Sequence, residues 1–446
     1  MGSSVKRRLL VANRGEIARR VMRTAHRLGI ETAAIYPAVD AQLPYVTEAT
    51  IACELPDPRS FLDSKVVVAA GVSMGCDAVH PGYGYLSEDP EFATLCEANG
   101  LAWVGPRSET IELLGDKAAA RAHMQAAGIA VLAGSPGSIE GPEDAKKVAA
   151  DIGYPLMVKA VSGGGGIGMS VANDIDELMT SIESASARGR QSFGDGRVLL
   201  ERYVPRARHV EIQILGSERE VIALTERDCS VQRRNQKVVE ESPSPAVDEM
   251  VRAQLQDAAV AIGRSVGYRN AGTVEFLLDC ETQNFYFLEM NTRLQVEHPI
   301  TEAVHATDLV EWQFKVAGLV TAADEISKRS GHSIEMRVYA EDSQRFMPGP
   351  GTITRWVEPK GVGVRVDSGY VEGNVVTPFF DPLLAKIIVH GRDRSEAIRI
   401  AQSAVAEFEI EGPKHNLAFL SRLLRNAEFQ SGNYDTGIVS RVQSTK

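Results

Sequence analysis

The stretch Phe285–Pro299, FYFLEMNTRLQVEHP, decides how this chain is read. Phe285, Tyr286, Phe287 and Leu288 are aromatic or aliphatic, as a pleated, half-buried segment prefers, and predict a strand. The apolar run then stops. Glu289, Asn291, Arg293, Gln295, Glu297 and His298 follow within ten residues. A solvated loop can carry such a run, but the segment just upstream argues otherwise. Gly272–Asp279, GTVEFLLD, alternates Val274, Phe276 and Leu278 on one face with Thr273, Glu275 and Leu277 on the other. Cys280–Asn284 between the two segments is short enough for a hairpin. Glu275 and Glu289 then fall on antiparallel neighbours. Pointing into one cleft, they make a hard oxygen site suited to Mg²⁺, with Asn291 adding a neutral oxygen. Two close carboxylates repel each other, so a cation is their natural partner. Magnesium that keeps several waters usually also holds substrate phosphates.

At 446 residues the chain is too long for one compact core, and two or three domains are expected. Its 44% hydrophobic and 24% charged residues are those of a soluble globular protein. The net charge of −11 argues against a nucleic-acid partner. The basic cluster Arg227, Arg233, Arg234 and Lys237 is therefore expected to meet phosphates or carboxylates of small molecules. No apolar run approaches the roughly 18 residues of a membrane span, so no membrane role is expected. The start, MGSSVKRRLLVANRG, lacks the apolar core of a secretory signal. Five widely spaced cysteines without a CxxC pair fit reduced thiols and a cytoplasmic location.

Arg8–Ala12, a helix over Glu16–Leu28 and Thr32–Tyr36 read as a βαβ opening, hence a parallel sheet. Val66–Ala70, Ala78-Val79 and Trp103-Val104 are expected to continue it as strands. There is no GxGxxG dinucleotide fingerprint. His80–Tyr85 is a glycine-punctuated loop after a strand. Lys117 starts a helix, where a cation opposes the macrodipole and an anionic partner would suit it. The glycine run at 162–168 lies between two strands. It is no Walker A loop, yet glycines let backbone N–H groups approach a phosphate, and such a loop can close over a substrate. Val198–Val204 and Arg208–Gln213 read as strands. Val251–Val266 and Ala303–Ala317 read as helices. Ser333–Ala340 is a strand in which Arg337, between apolar neighbours, needs an anion.

Three stretches together resemble the biotin carboxylase family: EMNTRLQVEHP at Glu289–Pro299, HPGYG at His80–Gly84, and ERDCSVQRRNQKVVEE at Glu226–Glu241. The resemblance runs from about Arg8 to about Ile438. It implies an α/β chain with an ATP-grasp fold: an N-terminal parallel α/β domain (5–112), an ATP-grasp domain (113–332) with a mobile α+β lid at about 130–204, and a mixed-sheet C-terminal domain (333–446). It implies ATP, Mg²⁺ (or Mn²⁺) and bicarbonate as ligands, with biotin as a substrate borne on a carrier protein. The nucleotide would meet Lys117, Lys159, the lid glycines Gly164, Gly165 and Gly166, Met169, Glu201, Val204, His209, Gln232, Asn235 and Leu288. The metal would sit on Glu275, Glu289 and Asn291. Bicarbonate would meet Lys237, Arg293, Gln295 and Val296, and biotin would lie near Tyr83 and Arg337. Glu297 would be the general base, and Arg337 would stabilise the biotin enolate. Thr436-Gly437-Ile438 would complete the adenine pocket.

Two positions depart from the family pattern. Ile167 stands where many members have a basic residue, and Asn235 replaces a common histidine, which puts a phosphate and a ribose contact in doubt. Another ATP-grasp ligase would share the lid and metal carboxylates but not all three stretches. A non-catalytic nucleotide-binding subunit should have lost Glu297, Arg337 or a metal carboxylate. No Met-Lys-Met stretch occurs, and no length remains for a carboxyltransferase. The expected partners are thus a biotin carboxyl carrier protein and a carboxyltransferase subunit or domain, with a homodimer expected from the family.

Overall fold

The computed structural model describes residues 7–161, 169–234, 236–321 and 326–444. The glycines Gly164, Gly165 and Gly166, together with Ile167 and Asn235, lie outside them.

The chain opens with strand β1 (Arg8–Val11), helix α1 (Gly15–Arg27) and strand β2 (Glu31–Pro37). Strand β3 (Ile51–Leu55), helix α2 (Ser64–Ser73), strand β4 (Ala78–His80) and strand β5 (Ala102–Trp103) follow. The described strands here form a parallel sheet in the order β3-β2-β1-β4-β5. Val66–Ala70 is a correction: it lies inside α2, not on a strand. A short apolar run suits a buried helix as well as a strand. The Asp63 side chain decides for the helix by accepting from the Lys65 and Val66 amides. The strand that was missed, β3, sits at the sheet edge and is mostly exposed, so it lacks a buried strand's apolar pattern.

Helix α3 (Lys117–Ala126) is capped by Asp116, which accepts from the amides of Ala118 and Ala119. Helix α4 (Pro142–Ile152), strands β6 (Leu156–Ala160) and β7 (Ser170–Ala172), helix α5 (Ile175–Phe193) and strand β8 (Val198–Arg202) form a small α+β unit. Its three strands run β7-β6-β8 and share a core of their own around Leu156, Val158, Leu178 and Leu200.

The main body is one antiparallel sheet. It takes strands β9 (Ala207–Gly216), β10 (Val221–Arg233) and β11 (Gln236–Ser242). After helix α6 (Glu249–Ser265) it adds β12 (Asn270–Asp279) and β13 (Phe285–Asn291). Helices α7 (His298–His305) and α8 (Leu309–Val316) come next, then β14 (His332–Tyr339), β15 (Val364–Ser368), β16 (Leu383–Gly391) and helix α9 (Arg394–Glu407). The order is β13-β12-β9-β10-β11-β14-β16-β15. The C-terminal strands β14, β15 and β16 therefore extend the central sheet, while four shorter ones pair off as two small two-stranded sheets. The single helix expected over Ala303–Ala317 is two helices. Ala306 turns left-handed at φ 46°, and Asp308 caps the second through the Glu311 amide. Among the described residues no helix is long and apolar enough to cross a membrane.

The basic cluster expected to face small molecules is divided. Arg227 is fully buried. Its Nε donates to Glu211 Oε1 at 2.5 Å, and its other nitrogens reach Gln213, Thr301 and Thr273. Arg233 is bound to Glu341. Both are corrections, with one physical reason: a buried guanidinium takes its anion from the fold when a strand supplies one. Removing one partner of a buried ion pair costs about 3–5 kcal/mol. Arg227→Met should lower the unfolding free energy by that order in a urea titration. A loss below about 1 kcal/mol would show that Glu211 does not need this partner.

Candidate active site

The β12–β13 hairpin shows how the sheet builds the cleft. Leu278 pairs with Phe285, Leu277 with Tyr286 and Phe276 with Phe287. Regular pairing would then set Leu288 opposite Glu275 and turn Glu289 onto the face where Val274, Phe276 and Leu278 are packed in the core. A register shift follows Phe276, and Glu275 instead pairs directly with Glu289. The bulged residue is Leu288. One extra residue in one strand moves every later side chain to the other face, so Glu289 joins Glu275 on the cleft.

The cleft is a cavity of about 990 Å³. Strands β12 and β13 line its floor, the β6–β8 unit one wall, and the loop after β4 with the start of α1 another. It gathers Lys117, Lys159, Met169, Glu201, Val204, His209, Gln232, Lys237, Glu275, Leu288, Glu289, Asn291, Arg293, Gln295, Val296, Arg337 and Tyr83. Residues over 200 positions apart in sequence thus share one space. Thr436 also lines the cavity, but Ile438, grouped with it in the sequence reading, is a core residue. Glu297 lies at the head of α7, fully buried behind the lining.

Lys237 is the electrostatic centre. Its Nζ lies 2.5 Å from Glu211 Oε2, 2.8 Å from Glu275 Oε1 and 2.6 Å from Glu297 Oε1. Burial disfavours the ammonium, yet these carboxylates more than offset it and raise its pKa well above the usual lysine value. Burial would likewise raise Glu297, but Lys237, Arg337 and Arg227 hold it well below the usual carboxylate range. Arg337 Nη2 lies 2.9 Å from Glu297 Oε2 and 2.5 Å from Glu240 Oε1. The anions that the buried arginine needed are therefore internal carboxylates.

Glu275 carries Lys237 on one oxygen and His209 on the other, with His209 Nε2 at 2.7 Å. The Nδ2 of Asn291 donates to Glu275 at 2.9 Å. The pKa of Glu289 is raised, first by burial and then by the neighbouring Glu275. Two carboxylates set opposite each other on a pocket floor are a hard donor pair, and a divalent cation fits them. Arg293 donates through Nε to Glu88 at 2.8 Å and through Nη2 to Asn291 Oδ1 at 3.0 Å. Lys159 is paired with Glu201, which Arg121 also holds at 2.9 Å.

The loop after β4 owes its shape to buried hydrogen bonds. The Nδ2 of Asn13 donates to the carbonyls of Pro81 and Tyr83, and His80 accepts from the Gly82 amide while its other ring nitrogen meets Gln313. Gly82 has φ 66°, and a Cβ there would lie 2.8 Å from Asn13. Tyr83 is thereby held against Glu16 at the cavity edge.

Sequence reasoning missed Glu88, Glu211 and Glu240. Glu211 had a signal: it alternates with buried apolar residues on a predicted strand, as Arg337 does. Glu88 had none, because its partner is about 200 residues away.

This arrangement of a small α+β unit over an antiparallel floor, with lysines and carboxylates between, is that of the ATP-grasp ligases. Family models match along the chain: the biotin carboxylase N-terminal domain at residues 5–111, the ATP-binding domain of the carbamoyl-phosphate synthase L chain at 116–322, and the biotin carboxylase C-terminal domain at 335–441. Biotin carboxylase 2 of Bacillus subtilis is 43% identical, covering 97% of this chain and 99% of that one. The mitochondrial methylcrotonoyl-CoA carboxylase subunit alpha of Arabidopsis thaliana is also 43% identical, but the chain spans only 61% of its length. The structure is similar, with a TM-score of 0.94, 39% identity and 99% of both chains covered, to the biotin carboxylase domain dimer of Hydrogenobacter thermophilus 2-oxoglutarate carboxylase, solved with MgADP, ADP and bicarbonate. The chain belongs to the biotin carboxylase family.

Deleting Leu288 removes the bulge and should leave Glu289 opposite Glu275 in regular register, still on the cleft. The deletion variant should keep the Mg²⁺-dependent rise in melting temperature with ATP, while Glu289→Ala should lose it. An unchanged Mg²⁺ response in Glu289→Ala would rule out Glu289 as a metal-site residue.

Proposed function

We propose that this chain carboxylates biotin borne on a carrier protein, consuming ATP and bicarbonate and releasing ADP and phosphate. The observation that carries this reading is the lysine-centred carboxylate cluster, with Glu297 between Lys237 and Arg337 beside the Glu275–Glu289 pair.

Bicarbonate is a poor electrophile, so its oxygen is first made to attack the γ-phosphate of ATP, giving carboxyphosphate and ADP. Phosphoryl transfer of this kind depends on positioning and charge neutralisation. Lys117, Lys159 and Lys237 meet the phosphates, with the backbone of the lid glycines Gly164, Gly165 and Gly166. Glu201 holds Lys159 until a nucleotide competes for it. Met169, Val204, Leu288, His209, Gln232 and Asn235 receive the nucleoside. Glu275, Glu289 and Asn291 would hold Mg²⁺ (or Mn²⁺), which when bound neutralises phosphate charge.

Arg293 grips bicarbonate with two guanidinium nitrogens, and Gln295 and Val296 close that end. Glu297 removes the bicarbonate proton. Its carboxylate is ionised because two cations hold it. Incoming anions compete for Lys237 and Arg337, and the proton affinity of Glu297 rises as they do. Carboxyphosphate then splits to CO₂ and phosphate, which takes the proton from biotin N1. Arg337 stabilises the resulting enolate, with Tyr83 beside the ring, and the enolate nitrogen attacks CO₂.

The reading extends to a three-part division near residues 112 and 332, and to work as a homodimer, as in the Hydrogenobacter relative. A carrier protein and a carboxyltransferase act with it.

The test is ATP hydrolysis with Mg²⁺ and labelled bicarbonate, with free biotin and with a biotinylated carrier. Label trapped on biotin is expected; hydrolysis that never labels biotin in either form would overturn the reading. Chelation by EDTA should abolish turnover and excess Mg²⁺ restore it. Glu297→Gln should keep ATP binding in calorimetry and lose about 10²–10⁴-fold in kcat. Turnover near that of the wild type would remove Glu297 as the base.

A further inference from the structure

Behind Arg337 lies a carboxyl pair that the mechanism does not use. Glu240 on β11 and Glu335 on β14 are directly opposed in register. Opposed residues on antiparallel strands share a face, with Cβ atoms about 4.5–5.5 Å apart. Both side chains are completely buried. Neither oxygen of Glu335 has a hydrogen-bond donor among the described residues. Glu240 has its ion pair to Arg337, but no hydrogen bond aligned on either oxygen. Arg337 stands two residues beyond Glu335 on the same face and touches both Glu240 and Glu297.

We propose that Glu240 and Glu335 share one proton and act as a positioning pair, holding Arg337 against Glu297 at the reacting end of the cleft. The inference rests on the roles given above to Arg337 and Glu297. A carboxylic acid is the one state of Glu335 that supplies the missing donor. Its hydroxyl donates to Glu240, whose remaining charge holds Arg337. Two full carboxylates in that position, with no donor for one of them, would be strongly disfavoured.

The surrounding charges agree. Arg337 on β14, Lys386 on β16 and Lys237 on β11 are cations that act on the pair; Lys386 donates to the Val296 carbonyl at 2.7 Å and lies 3.3 Å from Glu16 of α1. Helix α7 contributes Glu302, paired with Arg20 and Arg365, and His298, kept neutral by burial and by Lys386. Helix α9 packs on the opposite, apolar face of β14. Burial pushes Glu335 well above the usual carboxylate range despite Lys386, and Glu240 adds to the shift. Glu240 is pushed up to about 7, chiefly by burial.

The sign follows. Above about pH 7, where Glu240 is ionised, and below the raised pKa of Glu335, the pair carries one negative charge. As pH rises, the proton leaves, the pair gains a second charge, and Arg337 is drawn off Glu297 and the substrate. Activity is therefore lost on the alkaline side.

The first measurement is the infrared spectrum of the wild-type protein at neutral pH, compared with Glu335→Gln. A buried carboxylic-acid carbonyl band that Glu335→Gln removes is expected; no such band overturns the proposal. This readout does not depend on what reaction the cleft performs, so its failure is distinct from failure of the carboxylase reading. The second is the pH profile of bicarbonate-dependent turnover. Glu335→Gln keeps the donor and cannot ionise. It should hold kcat near the wild-type value at neutral pH and move the alkaline limb upward. Glu335→Met keeps the volume without the donor and should lose about tenfold or more in kcat, with the KM for ATP unchanged. Equal losses in Gln and Met, or an alkaline limb that stays in place in Gln, would overturn the shared proton.

Discussion

A single ammonium group sets the terms for this molecule. Lys237 gathers Glu211, Glu275 and Glu297, three carboxylates from three separate segments, none of them more than slightly exposed. Each would be costly to bury as a charge alone. Around Lys237 they are mutually affordable only because Arg227 backs Glu211, Arg337 backs Glu297 and His209 backs Glu275. The cluster is therefore one connected unit, and losing any one cation leaves a buried carboxylate with a single partner in place of two.

The sheet exists in a form that serves this unit. Strands β9, β10, β11, β12 and β14 run side by side, and over Val210–Ile214, Thr273–Phe276 and Ile334–Val338 polar or charged side chains alternate with buried apolar ones. On β12, Val274, Phe276 and Leu278 are packed against α6, while Glu275 faces the cleft. On β14, Ile334, Met336 and Val338 are packed on the opposite side from Glu335 and Arg337. The apolar face supplies rigidity, and the charged face uses it. A cluster whose energy depends on distances of a few ångströms needs a floor that does not move. The small α+β unit, with its own core, is built separately from that floor and brings Lys159 and Glu201 over it.

The same charge balance links resting structure to chemistry. Lys237, Arg337, Lys159 and Arg293 are each matched by a protein carboxylate. Phosphate and bicarbonate are anions of the same kind, so they can exchange with those carboxylates without leaving a cation bare. In the proposed reaction Glu297 and Glu201 would be the groups released by that exchange, and a released, desolvated carboxylate is a stronger base than a paired one.

The sequence by itself determined a great deal here. The alternation in GTVEFLLD, the short link after it and the polar run after FYFL placed a hairpin with carboxylates on it. The apolar period of Ile17, Val21 and Ala25 gave a helix between parallel strands. These are local signals, carried by neighbours a few residues apart. Tertiary structure decided what depends on distant partners. Val66–Ala70 became helical through the Asp63 cap, and Arg227 turned inward because Glu211 was there to receive it. Glu88 found Arg293 across some 200 residues. Above all, the bulge at Leu288 decided which face Glu289 occupies. Strict alternation from Phe285 would bury that carboxylate among Phe276 and Leu278. The extra residue costs ladder regularity, and the cluster on the cleft side, together with the apolar core on the other, settles which face each side chain takes. Side-chain alternation can be read along one strand, but register belongs to two strands together, and only the folded pair sets it.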